Sequence, residues 1–225
     1  EFASHAEIVR VPTNLCVPIP DGVSEEHAAF NMIGAIAMHA LRTGKVGLGE
    51  RVAFIGLGMI GLIAVQITKA MGAHVFGCDL QEDRAELADA VGADIAIANT
   101  DASAVSKATA GLTEGHGFDC VVITASTSSN EPIELAIDIA RERGQIVVVG
   151  AVPLDVPRNR LYDKELSLVV SRGPGAGIYD RRYEEGGVRY PLQHVRWTQR
   201  RNMRSFLDLV ADGSVELDPL ITHRV

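Results

Sequence analysis

The 225-residue sequence predicts an α/β fold built on a doubly wound parallel sheet. Short apolar runs alternate with helical patterns over most of the chain, as in repeated strand–helix units. Two of the runs, VVITA and IVVVG, are apolar on both faces, which is typical of strands covered by helices on both sides. A glycine-rich turn also joins the first run to the following helix. Together these observations predict the strand order 3-2-1-4-5-6.

Capping residues and glycines delimit the predicted elements. Ser24 can cap a helix over residues 25–42, and Gly44 closes it. The further predicted strands and helices, in chain order, are strand 51–55, helix 59–71, strand 74–78, helix 82–90, strand 94–98, helix 102–112, strand 119–124, a helix from Pro132 to Arg143, and strands 146–149 and 166–170. A strand and turn are predicted over residues 1–20, an irregular segment over 171–197, a helix over 198–211 and a last strand over 215–225.

A glycine motif at the end of the first sheet strand carries the strongest chemical signal. Residues 52–61 read VAFIGLGMIG, and Asp79 ends the next strand, 23 positions after the first glycine of the motif. In a G-x-G-x-x-G motif the first glycine permits a tight turn, the second lets backbone approach a pyrophosphate, and the third allows close helix–strand packing. The helix amino end then attracts phosphate. The predicted dinucleotide-binding residues are Gly56, Leu57, Gly58, Met59, Ile60, Gly61 and Asp79.

The same acid bears on which dinucleotide binds. Asp79 can accept hydrogen bonds from the adenosine ribose and would repel a 2′-phosphate, so the sequence favours NAD over NADP. Arg84 could hold that phosphate, although its place early in a helix equally fits a solvated face. The alternative for the whole motif is a glycine-rich turn in a sheet that binds no nucleotide.

The ends of two later strands add candidate residues. Ligands bind outside the carboxyl ends of parallel strands, which points to Thr124 and Ala125 after the fourth strand, and to Gly150 and Val152 after the fifth. The alternative is that these small residues only make turns.

Composition excludes several classes of function. A net charge of -8 argues against nucleic acid as the main partner. Apolar stretches are too short for a membrane span, and no signal-peptide pattern begins the chain. Three cysteines, Cys16, Cys78 and Cys120, have no C-x-x-C spacing, so we expect a reduced, cytoplasmic protein.

An arginine-rich stretch near the end has three open interpretations. It could bind an anionic sugar or nucleotide-sugar, contact a partner domain, or form a solvated surface balanced by nearby acids. Its arginines, which alternate with tyrosines and the single tryptophan, are Arg181, Arg182, Arg189, Arg196, Arg200, Arg201 and Arg204.

Longer phrases resemble a known family. HAEIVRVP, PIPDGVSEEHAA, GERVAFIGLGMIGLIAVQITKAMGAHVFGCD and GADIAIANT resemble the medium-chain dehydrogenase/reductase superfamily, in its zinc-type alcohol dehydrogenase group. ITASTSSNEPIELA, RGQIVVVGAVPLDVPRN and YDRRYEEGGVRYPLQHVRWTQRRNM are more specifically similar to the corresponding unit of bacterial bi-domain oxidoreductases.

The resemblance implies an NAD-dependent oxidoreductase that moves hydride between nicotinamide and a small alcohol or carbonyl, sugar-derived metabolites included. It implies that residues 1–20 end a GroES-like catalytic domain, 21–212 form a Rossmann domain with an irregular insertion at 171–197, and 213–225 return to the catalytic domain. It further implies an N-terminal domain before this chain, a second oxidoreductase domain after it, and compatibility with a homo-oligomer. Thr124, Gly150 and Val152 would lie near the nicotinamide.

The resemblance also implies a catalytic zinc, whose ligands and proton relay lie largely in the amino-terminal domain of the family. Ala35 departs from the family, which often has a Thr facing the nicotinamide there. Because the zinc ligands and proton relay of the family lie largely in that other domain, we expect no zinc ligands in this chain and assign no catalytic residue. Two alternatives stay open: a non-catalytic nucleotide-binding module or fragment, and a zinc-free reductase. No metal-ligand spacing relates the histidines, which are His5, His27, His39, His74, His116, His194 and His223.

Overall fold

A parallel six-stranded sheet forms the centre of the computed structural model, which describes residues 6–224. The strands are β1 (Arg51–Ile55), β2 (His74–Cys78), β3 (Ile95–Ile97), β4 (Phe118–Ile123), β5 (Ala140–Val148) and β6 (Ser167–Val170). They lie in the order β3-β2-β1-β4-β5-β6, and every neighbouring pair is parallel. The predicted fold class and strand order are confirmed.

Helices cover both faces of this sheet. They are α1 (Glu25–Ala28), α2 (Asn31–Thr43), α3 (Met59–Ala70), α4 (Glu82–Ala90), α5 (Ala102–Thr113), α6 (Glu131–Ile139), α7 (Arg158–Lys164), α8 (Arg181–Glu184) and α9 (Gln199–Ala211), with short 3₁₀ helices at Thr13–Leu15 and Asp218–Leu220. Within residues 6–224, no helix combines the length and apolar character needed to cross a membrane.

The central strand β1 explains why the core has two layers. Val52 and Phe54 pack on one face with apolar side chains of α2, α3 and α9, whereas Ala53 and Ile55 pack on the other face with those of α6. All four side chains are at most 2% exposed. Alternating residues of a strand point to opposite faces, so a strand buried on both must be apolar throughout.

Two predicted helices differ from the structure. The predicted helix 25–42 is divided into α1 and α2. Phe30 N donates to His27 O, three residues before it, and this 3₁₀-type hydrogen bond ends the first helix. The helix predicted to reach Arg143 ends at Ile139, and residues 140–143 already belong to β5. The Lys164 ammonium explains this end, since it donates to three carbonyls around it. Helix α7 was not predicted.

The two terminal strand predictions are wrong for the described residues. Residues 6–20 contain the 3₁₀ helix Thr13–Leu15 and no strand, and residues 1–5 lie outside the described part. Residues 215–224 also form no strand, and Val225 lies outside. The physical reason is Gln66, whose side-chain amide accepts from Glu216 N at 2.7 Å and donates to Glu216 O at 3.0 Å. These two hydrogen bonds replace the ones that a neighbouring strand would make with the backbone of Glu216.

Candidate functional site

The glycine turn after β1 uses each of its three glycines differently. Gly56 has a φ of +98°, and a Cβ there would lie 2.6 Å from Ala125 N. A Cβ on Gly61 would lie 2.2 Å from Gly56 O, so this glycine permits the close approach of α3 to the turn. Gly58 has no other atom within 4 Å of its would-be Cβ. The first and third glycines therefore serve the fold, and the second faces open space.

Helix α3 begins at this turn without a side-chain cap. Gly58 is the N-cap residue, and no side chain in the described part accepts from the amides of the first turn. These amides and the helix dipole favour an anion at this position. Leu57 is fully buried beneath the turn, while Met59 is 47% exposed and Ile60 is half-buried. The side chains of these three residues are apolar, so a polar contribution to a ligand comes from the main chain at Met59 and Ile60, since the Leu57 amide already donates to Asp79.

Asp79 follows β2 directly and is only 7% exposed. Its Oδ2 accepts from Leu57 N at 2.7 Å, and its Oδ1 accepts from Leu80 N at 2.8 Å and Gln81 N at 3.1 Å. These three amides compensate the cost of burying a carboxylate. Arg84 Nη1 lies 3.5 Å from Asp79 Oδ2, on an exposed side chain. The ribose-binding candidate and its possible phosphate-binding neighbour are thus adjacent.

These elements surround a cleft of about 440 Å³ at the carboxyl edge of the sheet. Among the predicted residues, those that line it are Gly56, Gly58, Asp79, Arg84, Thr124 and Ala125. Sequence reasoning did not assign several other lining residues to the site, among them Thr100, Glu131 and Leu135. Thr100 follows β3 by three positions, so the rule about strand ends could have found it. Glu131 and Leu135 lie in α6, and no motif marks them.

The candidates after β4 and β5 hold the turns of the site together. Thr124 donates its hydroxyl hydrogen bond to Gly56 O. A Cβ on Gly150 would lie 1.8 Å from Ala125 O, so these two turns are in direct contact. Val152 is half-buried and packs on the core cluster beneath. Thr124 therefore positions the glycine turn, while Gly150 and Val152 lie outside the lining of the cleft.

The described residues do not fit a catalytic zinc. In residues 6–224, one group of three potential ligands comes together, formed by Glu26, His27 and Asp218. The Arg224 guanidinium pairs with Glu26 at 2.9 Å and with Asp218 at 2.6 Å, so a cation already neutralises this surface cluster. Burial raises the pKa of the Cys78 thiol to about 12. Neither this thiol nor any other cysteine of the described residues belongs to that cluster.

The arginine-rich stretch separates into different environments. Arg181 pairs with Glu185 at the surface. Arg196 and Arg42 lie on the ring of Trp197, with their guanidinium carbons 4.0 Å and 3.5 Å from its centroid. Burial and the neighbouring Arg196 lower the pKa of Arg42 to about 10. The arginines that line a separate pocket are Arg189, Arg200, Arg201 and Arg204.

The order of the sheet, the glycine turn at its centre and the uncapped helix after that turn define a Rossmann-type α/β domain. Residues 60–185 match the family model described as "Zinc-binding dehydrogenase". The chain belongs to this family, and the predicted zinc-type, alcohol dehydrogenase-like membership is confirmed.

Curated relatives agree with this assignment. An alcohol dehydrogenase of Geobacillus stearothermophilus is 35% identical over 156 residues, covering 68% of this chain and 44% of the relative. An L-idonate 5-dehydrogenase of Vitis vinifera is 29% identical over 231 residues, covering 98% of this chain and 55% of the relative. The chain therefore spans about half the length of the relatives that it matches.

Solved structures share the fold. Galactitol-1-phosphate dehydrogenase from Escherichia coli superposes with a TM-score of 0.71 at 22% identity, covering 91% of this chain and 55% of that one. A zinc-binding dehydrogenase from Sinorhizobium meliloti 1021, bound to NADP, superposes with a TM-score of 0.69 at 26% identity, covering 91% of this chain and 54% of that one. The closer resemblance to bi-domain oxidoreductases stays a prediction.

Proposed function

We propose that this chain is the NAD(H)-binding part of a zinc-type alcohol or polyol dehydrogenase-like oxidoreductase, which moves hydride between nicotinamide and an alcohol or carbonyl. One arrangement carries the proposal: Gly58, the uncapped start of α3 and Asp79 border a single cleft. Helix amides suit a pyrophosphate, and a carboxylate at the next strand end suits ribose hydroxyls.

Each predicted residue then has a role in the proposal. The backbone of residues 56–61 would hold the pyrophosphate, with Gly58 leaving room for it. Asp79 would accept from the adenosine ribose. The strand ends at Thr124, Ala125, Gly150 and Val152 would border the nicotinamide, whose chemistry is to donate or accept the hydride. These residues bind and orient the cofactor, and none of them is assigned a proton transfer.

NAD is the proposed cofactor because the carboxylate of Asp79 would repel a 2′-phosphate. Three main-chain amides hold that carboxylate in place, so it cannot easily turn away from the ribose. Arg84 is the group that could offset the repulsion, since its guanidinium lies 3.5 Å from the acid. The structural relative from Sinorhizobium meliloti is bound to NADP, and a comparison of NADH with NADPH binding tests the preference in this chain.

The catalytic zinc and the substrate site are proposed to lie mainly outside residues 21–212. In this proposal, residues 1–20 and 213–225 connect to a GroES-like catalytic domain, and 171–197 form an insertion in the Rossmann domain. Two facts support it: the described residues do not fit a zinc site, and the relatives are about twice as long. A small-molecule substrate, a second oxidoreductase domain and a homo-oligomer belong to the same proposal.

Calorimetry with NADH and NADPH tests cofactor binding. We expect the parent chain to bind NADH more tightly than NADPH, and Gly58→Asp to lose at least about tenfold in NADH affinity, because the new side chain would enter the pyrophosphate space with a like charge. Gly111→Asp is the matched control, since it adds the same charge at an exposed position of α5 with no atom within 4 Å of the would-be Cβ. If Gly58→Asp binds NADH as well as the parent does, the proposal fails.

Turnover measurements test whether cofactor binding lies in this chain and the catalytic zinc outside it. This chain, given zinc, NAD and a panel of alcohols, should bind NAD without oxidising any of them. Robust activity from the chain alone would contradict the proposed location of the zinc. A longer chain that stays active after zinc is chelated would instead support a zinc-free reductase, and one that binds NADH without any turnover would support a binding module.

A further inference from the structure

A second pocket, of about 240 Å³, lies between residues 14–18, residues 183–190 and the start of α9. It shares no lining residue with the nucleotide cleft. Arg189, Arg200, Arg201 and Arg204 line it, and no acidic side chain does. Four like charges around so small a space are unusual in a chain whose net charge is -8.

Two of these arginines are held in place by carbonyl groups. Arg200 Nε donates to Cys16 O at 3.0 Å, and Arg201 Nη1 donates to Arg196 O at 3.1 Å. Each guanidinium keeps further N–H groups for another acceptor. Within residues 6–224, none of the four lining arginines forms an ion pair with a carboxylate. The charge of Arg200 and Arg201 is therefore held in position, and no carboxylate among the described residues pairs with any of the four.

Buried contacts fix the aromatic wall of the pocket. Tyr183 is 2% exposed and stacks on Tyr190 with ring centroids 5.1 Å apart. A Cβ on Gly177, whose φ is +107°, would lie 2.6 Å from the Tyr183 ring, so this glycine lets the ring pack against the backbone. Asn14 is 1% exposed and donates to Tyr183 O at 2.7 Å and Val188 O at 3.1 Å.

The acid that contacts the aromatic wall, Asp180, is already engaged. Asp180 accepts from the Tyr190 hydroxyl and from Arg182 N. The hydrogen bond to Asp180 raises the pKa of Tyr190 to about 12, so this tyrosine stays neutral at ordinary pH. The aromatic wall thus adds no negative charge to balance the arginines.

We propose that this pocket binds a phosphate group, either inorganic phosphate or the phosphate of a small monoester. Guanidinium forks match the oxygens of phosphate, and several forks around one space suit a dianion with three terminal oxygens better than a single carboxylate. The site is independent of the proposed dinucleotide cleft, so a failure of one leaves the other standing.

Calorimetric titration of this chain with inorganic phosphate, at constant ionic strength, tests the proposal. The variant is Arg189→Gln/Arg204→Gln, because both side chains are exposed and neither forms an ion pair among the described residues. Its matched control is Arg158→Gln/Arg181→Gln, which removes the same charge at exposed positions outside the pocket. We expect the first double variant to lose at least about tenfold in phosphate affinity and the control to stay within about twofold.

Parallel titrations with glucose 6-phosphate and glucose separate the two sources of phosphate. Tighter binding of glucose 6-phosphate than of inorganic phosphate supports the monoester, and equal or weaker binding supports the free ion. No binding of either at millimolar concentration overturns the proposal. So does an equal loss in both double variants, since affinity would then follow overall charge. Circular dichroism and NADH binding confirm that each variant is folded.

Discussion

The main-chain amide of Leu57 donates to the carboxylate of Asp79 at 2.7 Å, across 22 positions of sequence. This bond ties the glycine turn after β1 to the end of β2. One side chain therefore holds the glycine turn, which is proposed to bind phosphate, and presents the acid proposed to bind ribose. A substitution at Asp79 should affect both folding and cofactor binding.

Asp79→Asn tests this dual role. We expect the free energy of unfolding to fall by about 1–2 kcal/mol, because a neutral amide replaces a charged acceptor of three main-chain amides. NADH affinity should fall while NADPH loses less, because the charge that repels a 2′-phosphate is gone. Urea unfolding and calorimetry measure the two effects. Asp83→Asn, an exposed neighbour, is the control, and equal behaviour of the two variants would contradict the prediction.

Alanine at the second and third glycines should separate binding from stability. Gly61→Ala should cost about 1–3 kcal/mol of unfolding free energy, because its Cβ would lie 2.2 Å from Gly56 O. Gly58→Ala should change stability by no more than about 0.5 kcal/mol, since its φ is -72° and its Cβ meets nothing. Its loss should appear in NADH affinity instead. The reverse pattern would show that the open side of the turn is not the ligand side.

Lys164→Met tests the end of α6. The ammonium donates to Ile137 O, Asp138 O and Ala140 O at 2.8–2.9 Å, and it satisfies carbonyls that a helix end leaves unpaired. We expect a loss of about 1–3 kcal/mol in urea unfolding. Lys107→Met, on an exposed position of α5, should stay within about 0.5 kcal/mol of the parent. A loss of the same size in both variants would mean that the cap contributes nothing specific.

His39 should make stability depend on pH. Burial, and to a lesser extent Arg42, lowers the pKa of His39 below its usual 6.5 in the folded chain. The unfolded chain then binds a proton at His39 more readily than the folded chain does. The contribution of His39 to stability is therefore complete above about pH 6.5 and declines as the pH falls through and below that value. His39→Gln should reduce this slope in unfolding measured between pH 7.5 and 5. His194→Gln, at an exposed position, is the matched control, and an equal change of slope in both variants would contradict the prediction.

Sequence reasoning succeeded where the determining residues are local. The bounds of β1, β2 and α4 agree with the prediction, because apolar runs, caps and glycines within each segment define them. The glycine turn and Asp79 were also found, since a G-x-G-x-x-G motif carries its meaning in a short stretch. The predicted strand order also showed which strand ends lie side by side in the sheet.

Prediction from the sequence failed where residues far away in the chain determine the local structure. α6 ends at Ile139 because Lys164 caps it from 24 positions beyond Ala140. Residues 215–224 form no strand because Gln66, 150 positions before Glu216, takes both of that residue's backbone bonds. Glu131 faces the cleft because α6 packs beside β4, which no single segment reveals. Three of the four pocket arginines share α9, and Arg189 joins them because the segment around it packs on residues 14–18.

The two guanidinium groups on the ring of Trp197 give the chain an intrinsic optical reporter. Arg42 comes from α2 and Arg196 from the segment before α9, and the chain contains a single tryptophan. Its fluorescence therefore originates from one place, the contact between that segment and the Rossmann core. A red shift of the emission with an unchanged far-UV circular dichroism spectrum would signal that the segment has detached while the sheet remains folded, and the signal needs no added label.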